Sequence, residues 1–127
     1  ERPEIKIVGV EPELAPLLSE NEWQPHKIQG WTPDFIPAIL EKGVIDDIVT
    51  VNDEASIETA KDLAKKEGIF CGISAGATMQ GALKIAQDAP KNSTFCVMLP
   101  VTGERYLSSP LFENISDDSD DDWLAAQ

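Results

Sequence analysis

Continuous runs of apolar positions along the chain predict its strands. Residues 5–12, IKIVGVEP, form an apolar, β-rich run that a proline closes, and residues 46–51, DDIVTV, have the same character. Continuous apolar runs of this length are typical of strands that are buried on both faces of a sheet. Residues 68–73 are expected to form a short buried strand or extended segment, and residues 94–100, TFCVMLP, a further strand.

Two of the intervening segments have the spacing of amphipathic helices. After Asn52 or Asp53, either of which can cap a helix, apolar residues recur on one face until Gly68 provides the stop. A second helix is predicted from about 77 to 87, with Pro90 beyond its end. Strands that alternate with helices of this length predict right-handed crossovers and a parallel sheet, so we expect an α/β fold with flanking helices.

Length and charge limit the possible organisation and partners. The chain has 127 residues, enough for one domain but not for two. Its formal net charge of -13 opposes binding to nucleic acid phosphates and to anionic membranes. Part of the acidic excess lies in residues 116–122, SDDSDDD. We therefore expect a domain over residues 1–113, followed by an acidic, mobile tail over 114–127.

The two cysteines and the absence of a long apolar run indicate the compartment of the protein. Cys71 and Cys96 lie among apolar residues, which favours buried free thiols in a reducing compartment over a disulfide or a metal site. No apolar run approaches the roughly 20 residues of a membrane helix, so we expect a cytoplasmic protein. Residues 19–40 are expected to form a long ordered loop that leads into a short helix, and loops of this length are often functional.

Residues 71–81, CGISAGATMQG, place Ser74 in the pattern G-x-S-x-G, which is the nucleophile elbow of serine hydrolases. That chemistry needs a histidine after the serine, and the single histidine of the chain, His26, precedes it. Two interpretations remain from the residues alone. Ser74 is either the N-cap of a helix whose glycines allow tight packing, or a ligand whose hydroxyl binds a flat heterocycle.

Three motifs in order along the chain carry a family resemblance. PHKIQGWTPDFIP (25–37), CGISAGAT (71–78) and TGERYLSSPLFE (102–113) together resemble the C-terminal half of the cysteine synthases, also called O-acetylserine sulfhydrylases. The resemblance extends from about Ile5 to Glu113. It implies the C-terminal part of the large domain of a fold type II, tryptophan-synthase-β-like enzyme with pyridoxal 5'-phosphate as its cofactor. The implied reaction is a β-replacement in which sulfide replaces the acetate of O-acetylserine to give L-cysteine.

The resemblance also implies roles for individual residues. Ser74 matches the serine that hydrogen-bonds the pyridine nitrogen of the cofactor, and Pro100 and Tyr106 resemble residues that line the edge of the cofactor ring. The loop H-K-I-Q-G borders the mouth of the active site and is where the C-terminal tail of serine acetyltransferase docks in many members; its matching positions here are His26, Lys27, Gln29 and Gly30. An ordinary polar loop is the alternative for this segment. The intact enzyme is expected to be a homodimer.

The sequence departs from the family pattern in two places. Ala75 replaces a serine, and GWTPDF (30–35) stands where many members have G-I-G-A-G-F, which leaves the substrate open and resembles cystathionine β-synthase. The Schiff-base lysine and the glycine-rich phosphate loop of the family precede the region of resemblance, so no catalytic residue is assigned here and the chain alone is expected to be inactive. The alternatives are a cystathionine β-synthase-type enzyme and a non-catalytic module that binds an acetyltransferase tail.

Overall fold

The computed structural model describes residues 2–109 and 111–113 of the chain. In chain order, the regular elements of this part are strand β1 (Val8–Pro12), a 3₁₀ helix (Lys42–Val44), strand β2 (Asp47–Val51), helix α1 (Asp53–Glu67), helix α2 (Ile73–Ala86) and a second 3₁₀ helix (Gly103–Tyr106). The acidic tail predicted over 114–127 lies outside the described residues. No helix in the described part is both long enough and apolar enough to span a membrane.

The two strands pair in parallel, with Val8 opposite Asp47 and Pro12 opposite Val51. This pairing confirms the α/β class with a parallel sheet. The prediction that both strands are buried on both faces is wrong for this part of the chain, because the first three residues of β1 are only half-buried. Helix α2 contacts both strands, and within residues 2–109 and 111–113 no other α-helix packs extensively on the sheet.

Helix α1 confirms the sequence prediction at both ends. The side-chain oxygen of Asn52 accepts hydrogen bonds from the backbone N–H groups of Glu54 (2.9 Å) and Ala55 (3.2 Å), so Asn52 is the N-cap. Gly68 ends the helix in the left-handed conformation, with φ of 69°, which a residue without a Cβ adopts at little cost. Acidic residues in the first turn and lysines in the last turn complement the helix macrodipole.

Helix α2 begins at Ile73, four residues before the predicted start at 77, and it lies between the sheet and α1. Two glycines allow this position. A Cβ on Gly76 would lie 2.2 Å from the carbonyl oxygen of Ser56 in α1, and a Cβ on Gly81 would lie 3.0 Å from Val10 in β1. Gly76 and Gly81 therefore both lie within the helix, where they bring its backbone close to α1 and to β1.

The strand predicted over 94–100 is wrong, because this segment has no strand pairing among the described residues. Within 68–73, only Cys71 forms a bridge, an isolated antiparallel one with Thr102. The prediction of two buried thiols holds for Cys71, whose pKa is raised by burial, but Cys96 is exposed. Most side chains of 94–100 are exposed, with Met98 at 74%, whereas Leu99 packs against the buried core.

The buried core joins both helices, β2 and the segments that flank the second 3₁₀ helix. The buried residues that contact one another in this core are Ile28, Val51, Ala60, Leu63, Cys71, Ile73, Ala75, Ala77, Tyr106 and Leu111. Only one of them, Ile28, comes from the long segment between the strands. That segment contains no α-helix, so the connection between the parallel strands is a loop that ends in the first 3₁₀ helix.

The contact at Gly76 can be tested by substitution with alanine. Gly76→Ala is expected to lower the free energy of unfolding by about 1–3 kcal/mol, because the added methyl group overlaps the backbone of α1 and forces the helices apart. Urea denaturation measures the change. Gly43→Ala is the matched control, since a Cβ there meets no atom within 4 Å. Equal stabilities of the two variants would contradict the packing role of Gly76.

Candidate functional site

Ser74 lies in the first turn of α2 and is 5% exposed. It is not the N-cap. That position belongs to Gly72, and no side chain caps this end of the helix. Among the described residues, the Ser74 hydroxyl makes no hydrogen bond, and its oxygen is not among the fully buried side-chain atoms without a partner, so it keeps some access to solvent. The N-cap interpretation of Ser74 is therefore wrong, and its hydroxyl remains available to a ligand.

Gly72 makes the closest contacts at the N-terminal end of α2, which we call the Ser74 corner. A Cβ on Gly72 would lie 2.3 Å from Cε2 of Tyr106 and 2.8 Å from Cγ1 of Val101, so the Tyr106 ring packs directly on the glycine backbone. The Gly72 N–H also donates to the Val101 carbonyl at 3.1 Å. Tyr106 is buried at the end of the second 3₁₀ helix. The structure thus brings Tyr106 next to the helix start that carries Ser74.

Pro100 is exposed and lies beside the same corner. Two hydrogen bonds hold the chain on either side of it. The Thr78 hydroxyl donates to the Met98 carbonyl at 2.7 Å, and the Val101 carbonyl accepts the Gly72 N–H. Ser74, Pro100 and Tyr106 are therefore grouped around the N-terminal end of α2.

The segment that carries His26 and Lys27 borders a cleft of about 430 Å³ near the carboxyl ends of β1 and β2. The cleft is lined by Glu13, Leu14, Pro25, His26, Lys27, Asn52, Asp53 and Glu54. Crevices at the carboxyl ends of parallel strands are the usual ligand sites of open α/β sheets. Gln29 and Gly30 are exposed and do not line it, and Gly30 has a φ of 81°, where a glycine is favoured.

Two adjacent carboxylates at the start of α1 hold Lys27. The backbone N–H of Lys27 donates to Oδ2 of Asp53 at 2.7 Å, and Asp53 is 7% exposed. The Lys27 ammonium donates to Oε1 of Glu54 at 3.1 Å on the exposed surface. A hydrogen bond to its own backbone N–H and then the Lys27 ammonium lower the pKa of Glu54. The loop backbone is therefore fixed by a buried carboxylate, while the side chain forms a surface ion pair.

Ile28 links the loop to the Ser74 corner. Its side chain is 1% exposed and belongs to the same buried cluster as Ile73 and Tyr106. The cleft itself includes none of Ser74, Pro100 and Tyr106. The two groups of residues predicted from sequence are thus connected through a shared core and not through a shared cavity.

Sequence reasoning missed Asp53 and Ile28 as parts of the site. The sequence predicts only a helix-capping role for Asp53, because its hydrogen-bond partner Lys27 is distant along the chain. Ile28 was visible as the one apolar residue within H-K-I-Q-G, and a lone apolar residue in a polar loop is the signal that could have identified an anchor.

The two carboxylates next to Lys27 provide a matched pair of substitutions. Asp53→Ala is expected to lower the free energy of unfolding by about 1.5–3 kcal/mol, because a buried charge-assisted hydrogen bond to the loop backbone is lost. Glu54→Ala removes an exposed ion pair and one exposed charge in the first turn of α1, each of which contributes little, so its urea midpoint is expected to stay closer to that of the unmodified protein than that of Asp53→Ala. If the two variants unfold at the same urea concentration, Asp53 does not anchor the loop.

Comparison with known proteins identifies the family. A family model described as pyridoxal-phosphate dependent enzyme matches residues 1–101. The chain is 50% identical over 125 residues to O-ureido-L-serine synthase of Streptomyces lavendulae, covering 98% of this chain and 39% of that protein. It is 44% identical over 112 residues to cysteine synthase of Staphylococcus aureus, covering 88% of this chain and 36% of that protein. The chain thus spans less than half the length of these relatives.

The solved structures agree with the sequence comparison. A lysine-to-alanine variant of O-ureido-L-serine synthase, with O-ureido-L-serine bound, superimposes with a TM-score of 0.92 at 50% identity, covering 98% of this chain and 39% of that one. The likeness of fold therefore extends over nearly the whole chain, including the corner around Ser74. The chain belongs to the family of pyridoxal-phosphate dependent enzymes, within the group that includes the cysteine synthases.

Proposed function

We propose that this chain forms part of an enzyme that replaces the acetate of O-acetyl-L-serine by sulfide and releases L-cysteine. The observation that carries the proposal is Ser74, a nearly buried residue whose hydroxyl has no hydrogen-bond partner among the described residues, in a segment that resembles the family's cofactor motif. The likeness to cysteine synthases supports the choice of substrates.

The residues at the corner fit pyridoxal phosphate, which is the cofactor of the family. When bound, the cofactor supplies an electron sink for the charge that develops at the substrate Cα. The Ser74 hydroxyl would hydrogen-bond the pyridine nitrogen. A hydroxyl is neutral, so it does not hold a proton on that nitrogen as a carboxylate would. The cofactor ring is then a weaker electron acceptor. A moderate sink suits loss of a good leaving group and suppresses side reactions such as transamination.

The other residues of the corner would bind and orient. Tyr106 packs on Gly72 and so fixes the backbone at the start of α2, next to Ser74. Pro100 would line the edge of the cofactor ring. At the cleft, His26 and Lys27 would contact substrate as it enters. A rigid backbone at both places keeps the hydroxyl and the loop in position before substrate binds, which lowers the entropic cost of binding.

A second candidate nucleophile follows from the 50% identity to O-ureido-L-serine synthase. In O-ureido-L-serine, the side-chain oxygen of serine carries a ureido group, so the corresponding β-replacement would use hydroxyurea in place of sulfide. The segment Trp31–Pro33 departs from the usual cysteine synthase pattern at the rim, and Trp31 packs on the buried core beneath the loop. A changed rim would alter the choice of the second substrate and leave the first half of the reaction unchanged.

The non-catalytic alternative, in which the loop holds an acetyltransferase tail, has less support. Three carboxylates, those of Glu13, Asp53 and Glu54, line the cleft. They would repel the terminal carboxylate of a peptide, and Lys27 is already paired with Glu54.

The reaction is tested on the protein as it occurs, together with any polypeptide that extends or accompanies this chain. O-acetyl-L-serine is supplied with sulfide, hydroxyurea or homocysteine in parallel, and acetate release and the amino-acid products are measured by mass spectrometry. Cysteine is expected to form with the highest kcat/KM. O-ureido-L-serine as the main product would support the second candidate, and cystathionine a cystathionine β-synthase-type enzyme. No acetate release with any nucleophile would overturn the proposal.

The role of Ser74 is tested by Ser74→Asp. Because the carboxylate would hold a proton on the pyridine nitrogen, acetate release is expected to fall by about 10- to 100-fold, the scale of one hydrogen bond to a charged group. Cofactor content, read from its absorbance, is expected to stay within twofold of the unmodified protein. Ser93→Asp is the control, since Ser93 is exposed and its hydroxyl donates to the Pro90 carbonyl and to no residue of this corner. Normal acetate release by Ser74→Asp would contradict the assignment.

A further inference from the structure

The loop that carries His26 and Lys27 is closed at its base by one side-chain hydrogen bond. The indole Nε1 of Trp23 donates to the Thr32 carbonyl at 2.9 Å and so joins the two ends of segment 23–32. Compact surface loops of roughly 6–16 residues whose ends meet are frequently functional. The Trp23–Thr32 hydrogen bond is called the clasp below.

Thr32 has an unusual backbone conformation at the point where the clasp holds it. Its φ is 38°, in the left-handed region that β-branched residues rarely adopt. Such a conformation costs energy and persists only where surrounding contacts fix it, and residues of this kind cluster at ligand-binding and active sites. The clasp is a contact of that kind, because the carbonyl that accepts the indole N–H belongs to Thr32 itself.

Three further contacts fix the backbone between the ends of the loop. The Gln24 N–H donates to the Leu14 carbonyl at 2.9 Å, the Lys27 N–H donates to Asp53, and the Ile28 side chain is buried in the core. The side chains of Lys27 and Gln29 are exposed on the same loop. A backbone fixed at several points, with polar side chains exposed beside a cleft, is the arrangement of a binding loop that is ordered before its ligand arrives.

We propose that Trp23 and Thr32 are positioning residues whose clasp holds the loop at the cleft in the conformation that binds the small substrate. The inference rests on the proposed function for the identity of that substrate. A loop that is already ordered does not have to be ordered during binding. Opening the clasp therefore weakens substrate binding more than it slows the chemical step, and the effect falls on KM and not on kcat.

The first test needs no substrate. Trp23→Phe keeps the aromatic bulk and removes the donor, and the amides of Lys27 and Ile28 are expected to exchange hydrogen about three- to tenfold faster, the scale of one hydrogen bond. Phe35→Leu is the control, because Phe35 is exposed and lies outside the clasp. Thr32→Gly keeps the carbonyl and accepts the positive φ, so exchange at wild-type rates is expected. Unchanged exchange in Trp23→Phe, or equal acceleration throughout the protein, would overturn the proposal.

The second test is kinetic and uses the protein as it occurs. Trp23→Phe is expected to raise KM for O-acetyl-L-serine by about three- to tenfold with kcat within twofold. A fall in kcat at constant KM would overturn the positioning role. If the unmodified protein releases no acetate, the proposed function fails, and with it the substrate part of this inference. Hydrogen exchange then still decides whether the clasp orders the loop.

Discussion

The close approach of α2 to α1 and to β1 limits how every other described element can pack. Gly76 places the helix backbone against α1, and Gly81 places it against Val10 of β1. Because a methyl group at Gly76 would overlap the backbone of α1, the layers can be this close only where the side chain is a hydrogen atom. The helix therefore has little freedom to shift along or away from the sheet.

The fixed position of α2 determines the geometry of the candidate site. Its first turn holds Ser74, and the backbone just before it holds the ring of Tyr106 through Gly72. Ile28 packs in the same buried cluster as Ile73 of α2, so the position of the helix also fixes the loop at the cleft. The residues of the candidate site come from three distant parts of the sequence, and their positions all depend on this one helix.

The elements that sequence predicted correctly are those with local causes. β1, β2 and α1 follow from apolar runs, the Asn52 cap and the Gly68 stop, all of which act within a few residues. The start of α2 was misplaced because a glycine weakens a helix locally, whereas Gly76 is required by a contact with α1 that no local pattern shows. Residues 94–100 have strand-like composition, but a strand also needs a partner, and pairing is not local.

The candidate site shows the same difference between features with local causes and features that depend on distant contacts. Ser74 and Tyr106 could be proposed from motifs that resemble a family; the structure places the Tyr106 ring on Gly72, two residues before Ser74, and the roles of both residues at a cofactor stay predictions. The role of Asp53 could not be predicted, because its hydrogen bond to Lys27 joins residues on opposite sides of the strand connection. Nor could the left-handed backbone of Thr32, since threonine has no tendency towards that conformation and only the fold imposes it.

The unequal exposure of the two cysteines has a practical consequence for any study of assembly. Cys71 is held in the core and its thiolate is disfavoured, while Cys96 lies at the surface. In air, Cys96 is the more exposed of these two thiols, and it can form a disulfide with the Cys96 of another molecule. A covalently linked pair on a non-reducing gel would then record storage conditions and not the native oligomeric state. Mass measurements made with and without a reductant separate the two.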